Sequence, residues 1–285
     1  MRSTVEADPH FKRILEILLR DMHFDAGQYK PNYVKRRVAV RMRATGAPTY
    51  PESLRVLQGN PGEASLLFDR LTIHVTEFFR DPSLYQALQE NVLPELAGRA
   101  GDPFRAWCAG CSTGEEPYSL ALLLGDWRDA HAPFPFEIWA TDIDEPSVRT
   151  AEKGEYPLEA LRRIPRAQVA KGFRVEGLQA RVAPEVKGAV RFKVQDLLGD
   201  WGPGWPKFDL VSCRNLLIYL SSPQQQKLYE RFYHALRPGG CLILGLTETI
   251  LGEARRFFRC TDLRNRVYRA VEGVESTGSG RGENG

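Results

Sequence analysis

Cysteine is scarce and odd in number: Cys108, Cys111, Cys213, Cys241 and Cys260 are the only ones in 285 residues. No disulfide framework follows, and three of them lie in apolar, strand-like segments that suit reduced, buried thiols. Cys108 and Cys111 form a C-x-x-C, but no second C-x-x-C or H-x-x-x-H accompanies it to complete a zinc site. A redox pair would sit at a helix N-terminus without the glycine turn and Glu-Glu pair found here, so packing is the expected role. No window approaches the roughly eighteen uninterrupted apolar residues of a membrane span, and the start MRSTVEADPH has no signal-peptide apolar core. A cytoplasmic location is the expectation. Also missing are a G-x-G-x-x-G fingerprint at the turn after the first expected strand, an Asn/Asp-Pro-Pro-Tyr/Phe motif, a Cys-His or Ser-His-Asp constellation and any internal repeat. These absences disfavour nicotinamide chemistry, base-amine methylation of nucleic acids, and covalent nucleophilic catalysis.

What remains is a chain with 42% hydrophobic and 26% charged residues, enough for one large domain and a smaller one. Residues 9–75 show only helical periodicity, with one stripe at Phe11, Ile14, Leu15 and Leu18 and another at Leu66, Leu67 and Leu71. A helix from Ser83 to about Ala97 follows, and strands then alternate with helices over residues 76–271. The expected strands are Phe104–Ala109, Phe136–Thr141, Phe208–Cys213 and Cys241–Leu246. The expected helices are Tyr118–Arg128, Glu145–Lys153 and Pro223–Leu236, the last closed by Pro238-Gly239-Gly240. That pattern is an α/β, doubly wound sheet, with an antiparallel edge from Phe257–Cys260 and Arg266–Val271. Residues 172–194 alternate apolar and basic side chains in three short runs, ending in Val190–Val194, and read as an inserted antiparallel meander. Residues 272–285 close in STGSGRGENG, which has no apolar content and is expected to be disordered.

Trp107-Cys-Ala-Gly-Cys-Ser-Thr-Gly-Glu-Glu-Pro-Tyr-Ser119 compresses a strand end, a glycine turn and a helix start into one stretch. Gly114 is expected to let a ligand approach the backbone. Two carboxylates at this turn, Glu115 and Glu116, would repel a pyrophosphate, so the ligand should be cationic or rich in hydroxyls. S-adenosylmethionine is both. The second strand ends at Asp142, placed to accept both hydroxyls of a ribose, while Asp144 is the expected N-cap of the next helix. A separate feature lies between Tyr29 and Arg43. There Lys30, Lys35, Arg36, Arg37, Arg41 and Arg43 occur with no Asp or Glu between them, which predicts a helix with a basic face suited to an acidic partner.

Thr72-Ile-His-Val-Thr-Glu-Phe-Phe-Arg80, Ser112-Thr-Gly-Glu-Glu-Pro-Tyr-Ser119, Ala140-Thr-Asp-Ile-Asp144 and Cys213-Arg-Asn-Leu-Leu-Ile-Tyr219 appear in that order. Together they make the chain, from about Phe11 to Ala270, resemble the CheR-type glutamate methyltransferases of chemotaxis receptors. The resemblance implies a Rossmann-like S-adenosylmethionine methyltransferase sheet carrying an inserted antiparallel β-subdomain and a helical, receptor-docking N-terminal domain. It implies cofactor contacts at His74 (where the family usually carries Asn), Thr76, Arg80, Glu116, Asp142, Asp196, Leu197, Arg214 and Asn215. Arg80 and Tyr219 are the implied catalytic residues, one a guanidinium fork for carboxylates and the other an aromatic near the transferred methyl. Arg36, Arg37, Arg41 and Arg43 are implied to dock an acidic helical receptor domain. No nucleic acid, no membrane insertion and a monomeric state are expected. The short Arg174-Val-Glu-Gly177 connection sets this chain apart from members that tether a receptor tail. A cofactor-binding adaptor without catalysis and a nucleic-acid methyltransferase are the alternatives.

Overall fold

The computed structural model describes residues 8–72, 75–97, 102–131 and 133–274. Its contacts divide the chain into a helical unit, comprising the residues before Val75 together with Tyr219–Gln224, and an α/β unit comprising the rest.

The helical unit is built from α1 (Pro9–Met22), α2 (Pro31–Thr45), α3 (Tyr50–Gly59) and α4 (Glu63–Leu71). Local chemistry sets their ends. The Asp8 carboxylate accepts from the backbone of His10 and Phe11 at the start of α1, and Thr49 and Glu52 form a capping box on α3. Gly46, at φ +68°, closes α2 in the left-handed conformation that glycine adopts freely. Phe11, Ile14, Ile17 and Leu18 of α1 are buried, as are Val34, Val38 and Met42 of α2 and Leu67, Phe68 and Leu71 of α4. The segment Tyr219–Gln224 is fastened to this unit by Lys30 N donating to Tyr219 O (2.9 Å), Ser221 N donating to Gln28 O (3.0 Å), and the Tyr219 ring packed 4.7 Å from that of Tyr33.

In the α/β unit, α5 (Pro82–Ala87) and α6 (Leu93–Leu96) are joined by a single wide helical turn and lead into β1 (Phe104–Ala109), α7 (Glu115–Ala130), β2 (Phe136–Asp142) and α8 (Glu145–Lys153). Next come β3 (Glu155–Pro157), α9 (Arg166–Gly172), β4 (Phe173–Glu176), β5 (Gln179–Val182), α10 (Pro184–Lys187) and β6 (Val190–Val194). The chain finishes with β7 (Phe208–Cys213), α11 (Ser222–Ala235), β8 (Leu236–Leu244), β9 (Phe258–Asp262) and β10 (Val267–Ala270). The seven-stranded sheet runs β6-β2-β1-β7-β8-β10-β9, parallel except for β10, which lies antiparallel to both neighbours. The order reverses between β1 and β7, so the crevice of a doubly wound sheet opens beyond their carboxyl ends.

Three sequence expectations change. Val190–Val194 is not the third strand of an inserted meander. It pairs in parallel with β2 from Ile138↔Val190 to Asp142↔Val194, and the small antiparallel sheet is β3-β5-β4 instead. As the edge of the parallel sheet, β6 is covered unevenly, and its apolar-polar alternation imitates an antiparallel strand. Second, β8 starts at Leu236, with Pro238-Gly239-Gly240 inside the strand at an irregularity of register. Third, β8 ends at Leu244, short of the expected Leu246. Between β6 and β7, Trp201 and Trp205 pack with ring centroids 4.8 Å and 5.2 Å from that of the buried Trp107 on β1. Among the described residues, no helix is long and apolar enough to cross a membrane.

Candidate cofactor and catalytic site

The turn after β1 is tied to the end of β2. Gly110 N and Cys111 N both donate to Thr141 O (2.8 and 2.9 Å), and Ser112 N donates to the Asp142 carboxylate (2.8 Å). Asp142 also accepts from Asp144 N (3.0 Å), and its side chain is only partly buried. Asp144 caps α8 through Ser147 N (2.9 Å), as expected. Gly114 has a different purpose from the expected one. At φ +95°, a Cβ there would lie 2.7 Å from Ala151 Cβ and 2.9 Å from Tyr156 Oη, so the glycine permits close packing against α8 and β3. Cys108 and Cys111 are free and buried, with their thiol pKa values pushed up by burial. They behave as packing residues.

Glu116 and Arg214 come together with a residue the sequence did not single out, Asp81. The Arg214 guanidinium, 3% exposed, donates to Glu116 Oε2 (2.9 Å), Asp81 Oδ2 (2.6 Å) and the carbonyl of Arg80 (2.9 Å). Burial opposes its charge, but Glu116, Tyr85 and Asp81 outweigh that and raise its pKa, so it stays protonated. Two carboxylates around one guanidinium leave one net negative charge, which favours a cationic ligand group. The backbone pays locally for this arrangement: Phe79 and Asp81 hold φ +50° and +60°, uncommon for residues with a side chain. Arg80, between them, turns its guanidinium away from the cluster to Val75 O (2.8 Å), and Thr76 is half-buried in the same segment. His74 lies outside the described residues.

The loop after β7 is organised by another unforeseen residue. Glu248, 3% exposed, accepts from Gly245 N (2.6 Å), Asn215 N (2.9 Å) and Ile218 N (3.2 Å). Burial raises its pKa against the opposing effect of these backbone bonds. Asn215 is held at φ +60°, and its Oδ1, like Ser112 Oγ, is buried with no hydrogen-bond partner in the structure. Such orphaned polar atoms call for a ligand that supplies the missing bonds. At the end of β6, Gln195 N donates to Asp142 O (2.8 Å), bringing Asp196 and Leu197 alongside. Asp196 turns its own loop by accepting from Leu198 N (2.8 Å). The buried Leu197 has its carbonyl fixed by Arg231 Nη1 (2.7 Å) and Trp201 Nε1 (3.1 Å). A partly exposed carboxylate, a net anionic cluster and two orphaned polar atoms fit the hydroxyls and the ammonium of S-adenosylmethionine.

Tyr219 belongs by its contacts to the helical unit, where its ring packs against that of Tyr33. On α2, the expectation of unneutralised charge is corrected. Arg41 donates twice to Glu63 of α4 (2.5 and 2.7 Å), with the carboxylate 5% exposed, and so is a structural ion pair. Arg37 lies over the Tyr33 ring at 5.6 Å, whereas Arg36 and Arg43 are exposed. The neutralising acid comes from another helix, beyond the reach of a local charge count.

Residues 74–267 match the family model described as CheR methyltransferase, SAM binding domain, and residues 9–72 match CheR methyltransferase, all-alpha domain. A chemotaxis protein methyltransferase of Listeria monocytogenes is 31% identical over 246 residues, covering 86% of this chain and 90% of its own. One from Escherichia coli is 32% identical over 258 residues, covering 88% of each chain. An uncharacterized 104.1 kDa protein of Rhodobacter capsulatus is 34% identical over 262 residues, where this chain spans 27% of its length. With both of its domains matched, the chain belongs to the CheR methyltransferase family and binds S-adenosylmethionine.

Proposed function

We propose that this methyltransferase esterifies glutamate side chains on the acidic, helical domain of chemoreceptors, forming γ-methyl esters in the cytoplasm. The relatives' chemotaxis names support the receptor as substrate. The observation that carries the chemistry is the split between two arginines. Arg214 is consumed by Glu116 and Asp81, while Arg80, one residue from Asp81, donates to Val75 O and meets no carboxylate among the described residues.

The cofactor, when bound, supplies a methyl group on a cationic sulfur. Asp142 would take its ribose hydroxyls, Glu116 its ammonium, and the Asp196-Leu197 corner its adenine, with Thr76 and Asn215 as further contacts. A glutamate carboxylate, with an ordinary pKa near 4.3, is already ionised at neutral pH, so no general base is required. Arg80 would orient and partly desolvate that carboxylate, and positioning accounts for most of the rate. Tyr219 is proposed as the aromatic residue beside the transferred methyl. On α2, Arg36, Arg37 and Arg43 are the proposed receptor contacts, and Arg41 supports them through Glu63.

The test is to incubate the protein with methyl-labelled S-adenosylmethionine and receptor cytoplasmic fragments, then to treat the product with alkali. Base-labile label on the receptor is the expected outcome. Stable label on added RNA would indicate a nucleic-acid enzyme, and cofactor binding without transfer an adaptor. Arg80→Ala is expected to lower kcat at least a hundredfold while changing cofactor Kd less than threefold, the pattern of a group used on the substrate.

A further inference from the structure

The loop that follows β7 has the form of an anion-binding nest. The N–H groups of Asn215 and Ile218 converge with that of Gly245 on one carboxylate. In many nucleotide-binding folds such a convergence receives a phosphate. Here the point is filled from within by Glu248, whose carboxylate is 3% exposed.

The consequence falls on Asn215. Its backbone sits at φ +60°, a region open to Asn but costly for most side chains. Its N–H is held by Glu248 Oε2 at 2.9 Å, and its carboxamide lies beside Gly245, where a Cβ would come within 2.8 Å of Asn215 N, Asn215 Nδ2 and Glu248 Oε2. The absence of a side chain at 245 and the carboxylate at 248 therefore leave Asn215 a single seat. In that seat Oδ1 is buried and unsatisfied. The preceding residue, Arg214, is separately held by Glu116 and Asp81, and the turn that follows it is held by Glu248.

We infer that Glu248 is a positioning residue for cofactor binding: by occupying the nest after β7 it sets the left-handed turn at Asn215 and presents the Asn215 carboxamide oxygen to the ligand. This rests on the assignment of Asn215 as a cofactor contact. Because the nest is filled by a fixed internal anion, the site is also closed at this corner to phosphate-bearing nucleotides, which would have to displace a buried carboxylate.

The experiment measures the Kd of S-adenosylhomocysteine by calorimetric titration for the full chain and for Glu248→Gln, Asn215→Ala and the double variant, with Tm followed in parallel. Glu248→Gln keeps the size of the side chain but turns an N–H₂ toward backbone donors. We expect each single change to weaken binding about tenfold and the double change to weaken it about tenfold in total, because both remove the same contact. Gly245→Ala keeps the residue at 248 but crowds both its carboxylate and Asn215, and is expected to reproduce the loss if Glu248→Gln proves too unstable to titrate. Multiplicative losses approaching a hundredfold in the double variant, or unchanged Kd in both Glu248→Gln and Gly245→Ala, would overturn the inference. Parental protein that binds the ligand but transfers no methyl to receptor would overturn the proposed activity and leave this inference intact. Inorganic phosphate and ATP, titrated as competitors, are expected not to displace the ligand from the parent.

Discussion

Two strand-end turns in the α/β unit are built by the same device and put to different uses. Beyond β1 and β2, the Asp142 carboxylate catches the N–H groups of Ser112 and Asp144; beyond β7 and β8, the Glu248 carboxylate catches those of Asn215, Ile218 and Gly245. Asp142 is only partly buried, whereas Glu248 is 3% exposed. The first is within reach of a ligand as proposed, and the second braces the backbone from inside. What separates the two carboxylates is accessibility, since both bond the backbone.

Removing the cation on the β7 side breaks the comparison most severely. Arg214→Ala would leave Glu116 and Asp81 facing each other in a largely buried cluster without their counter-charge. Uncompensated buried charge of this kind costs about 3–5 kcal/mol. The expected outcome in urea unfolding at neutral pH is a loss of that size, with cofactor binding lost as well because Glu116 is no longer held. A loss below about 1 kcal/mol would show that the cluster is open to solvent and that the three side chains do not act as a unit.

Asp142→Asn sharpens the contrast from the other side. One oxygen remains to hold a backbone N–H, while the new amide opposes the other, so the turn is loosened and the outward acceptors are reduced. Hydrogen bonds to charged groups contribute about 1.5–3 kcal/mol each, which corresponds to a Kd for S-adenosylhomocysteine raised about tenfold to a hundredfold. Tm should move by only a few degrees, since the carboxylate is partly solvated in the folded protein. A large fall in Tm with unchanged Kd would invert the roles given to Asp142 and Glu248.

The sequence announced one of these carboxylates and hid the other. Asp142 ends a strand whose neighbours alternate cleanly, and its place beyond the sheet's carboxyl edge follows from the fold class. Glu248 is 33 residues from Asn215 in sequence, and nothing local to either links them. The same limit explains Arg41, whose partner Glu63 lies 22 residues away on another helix, and Asp81, whose link to Arg214 spans 133 residues. Strands β1 and β7 and helix α8 were legible to the residue because apolar runs and caps are local signals. Val190–Val194 was legible as a strand but not as a member of the main sheet, because pairing is decided by which chain lies alongside. Tyr219 shows the point most sharply: its motif places it next to Arg214 and Asn215, yet its contacts belong to the helical unit.

A third carboxylate, at the start of α7, offers the mildest probe. Glu115 is 9% exposed and accepts from Thr113 Oγ1 at 2.7 Å, whereas its neighbour Glu116 faces Arg214. Burial raises its pKa above the ordinary 4.5, against the opposing bonds from Thr113 and its own backbone N–H. The folded state thus holds this proton more tightly than the unfolded chain does. Its contribution to stability is fully present below pH 4.5 and is lost as pH rises through the folded-state pKa, after which it stays constant. Glu115→Gln keeps an acceptor for Thr113 and cannot titrate, so the variant should match the parent in acid and exceed it at neutral pH by on the order of 1 kcal/mol. Urea unfolding at intervals from pH 4 to pH 7 reads the difference directly. A gap that fails to widen with pH would mean that Glu115 is solvated like Asp142. A gap that opens and then levels would place it with Glu248, among the carboxylates that brace the site from behind.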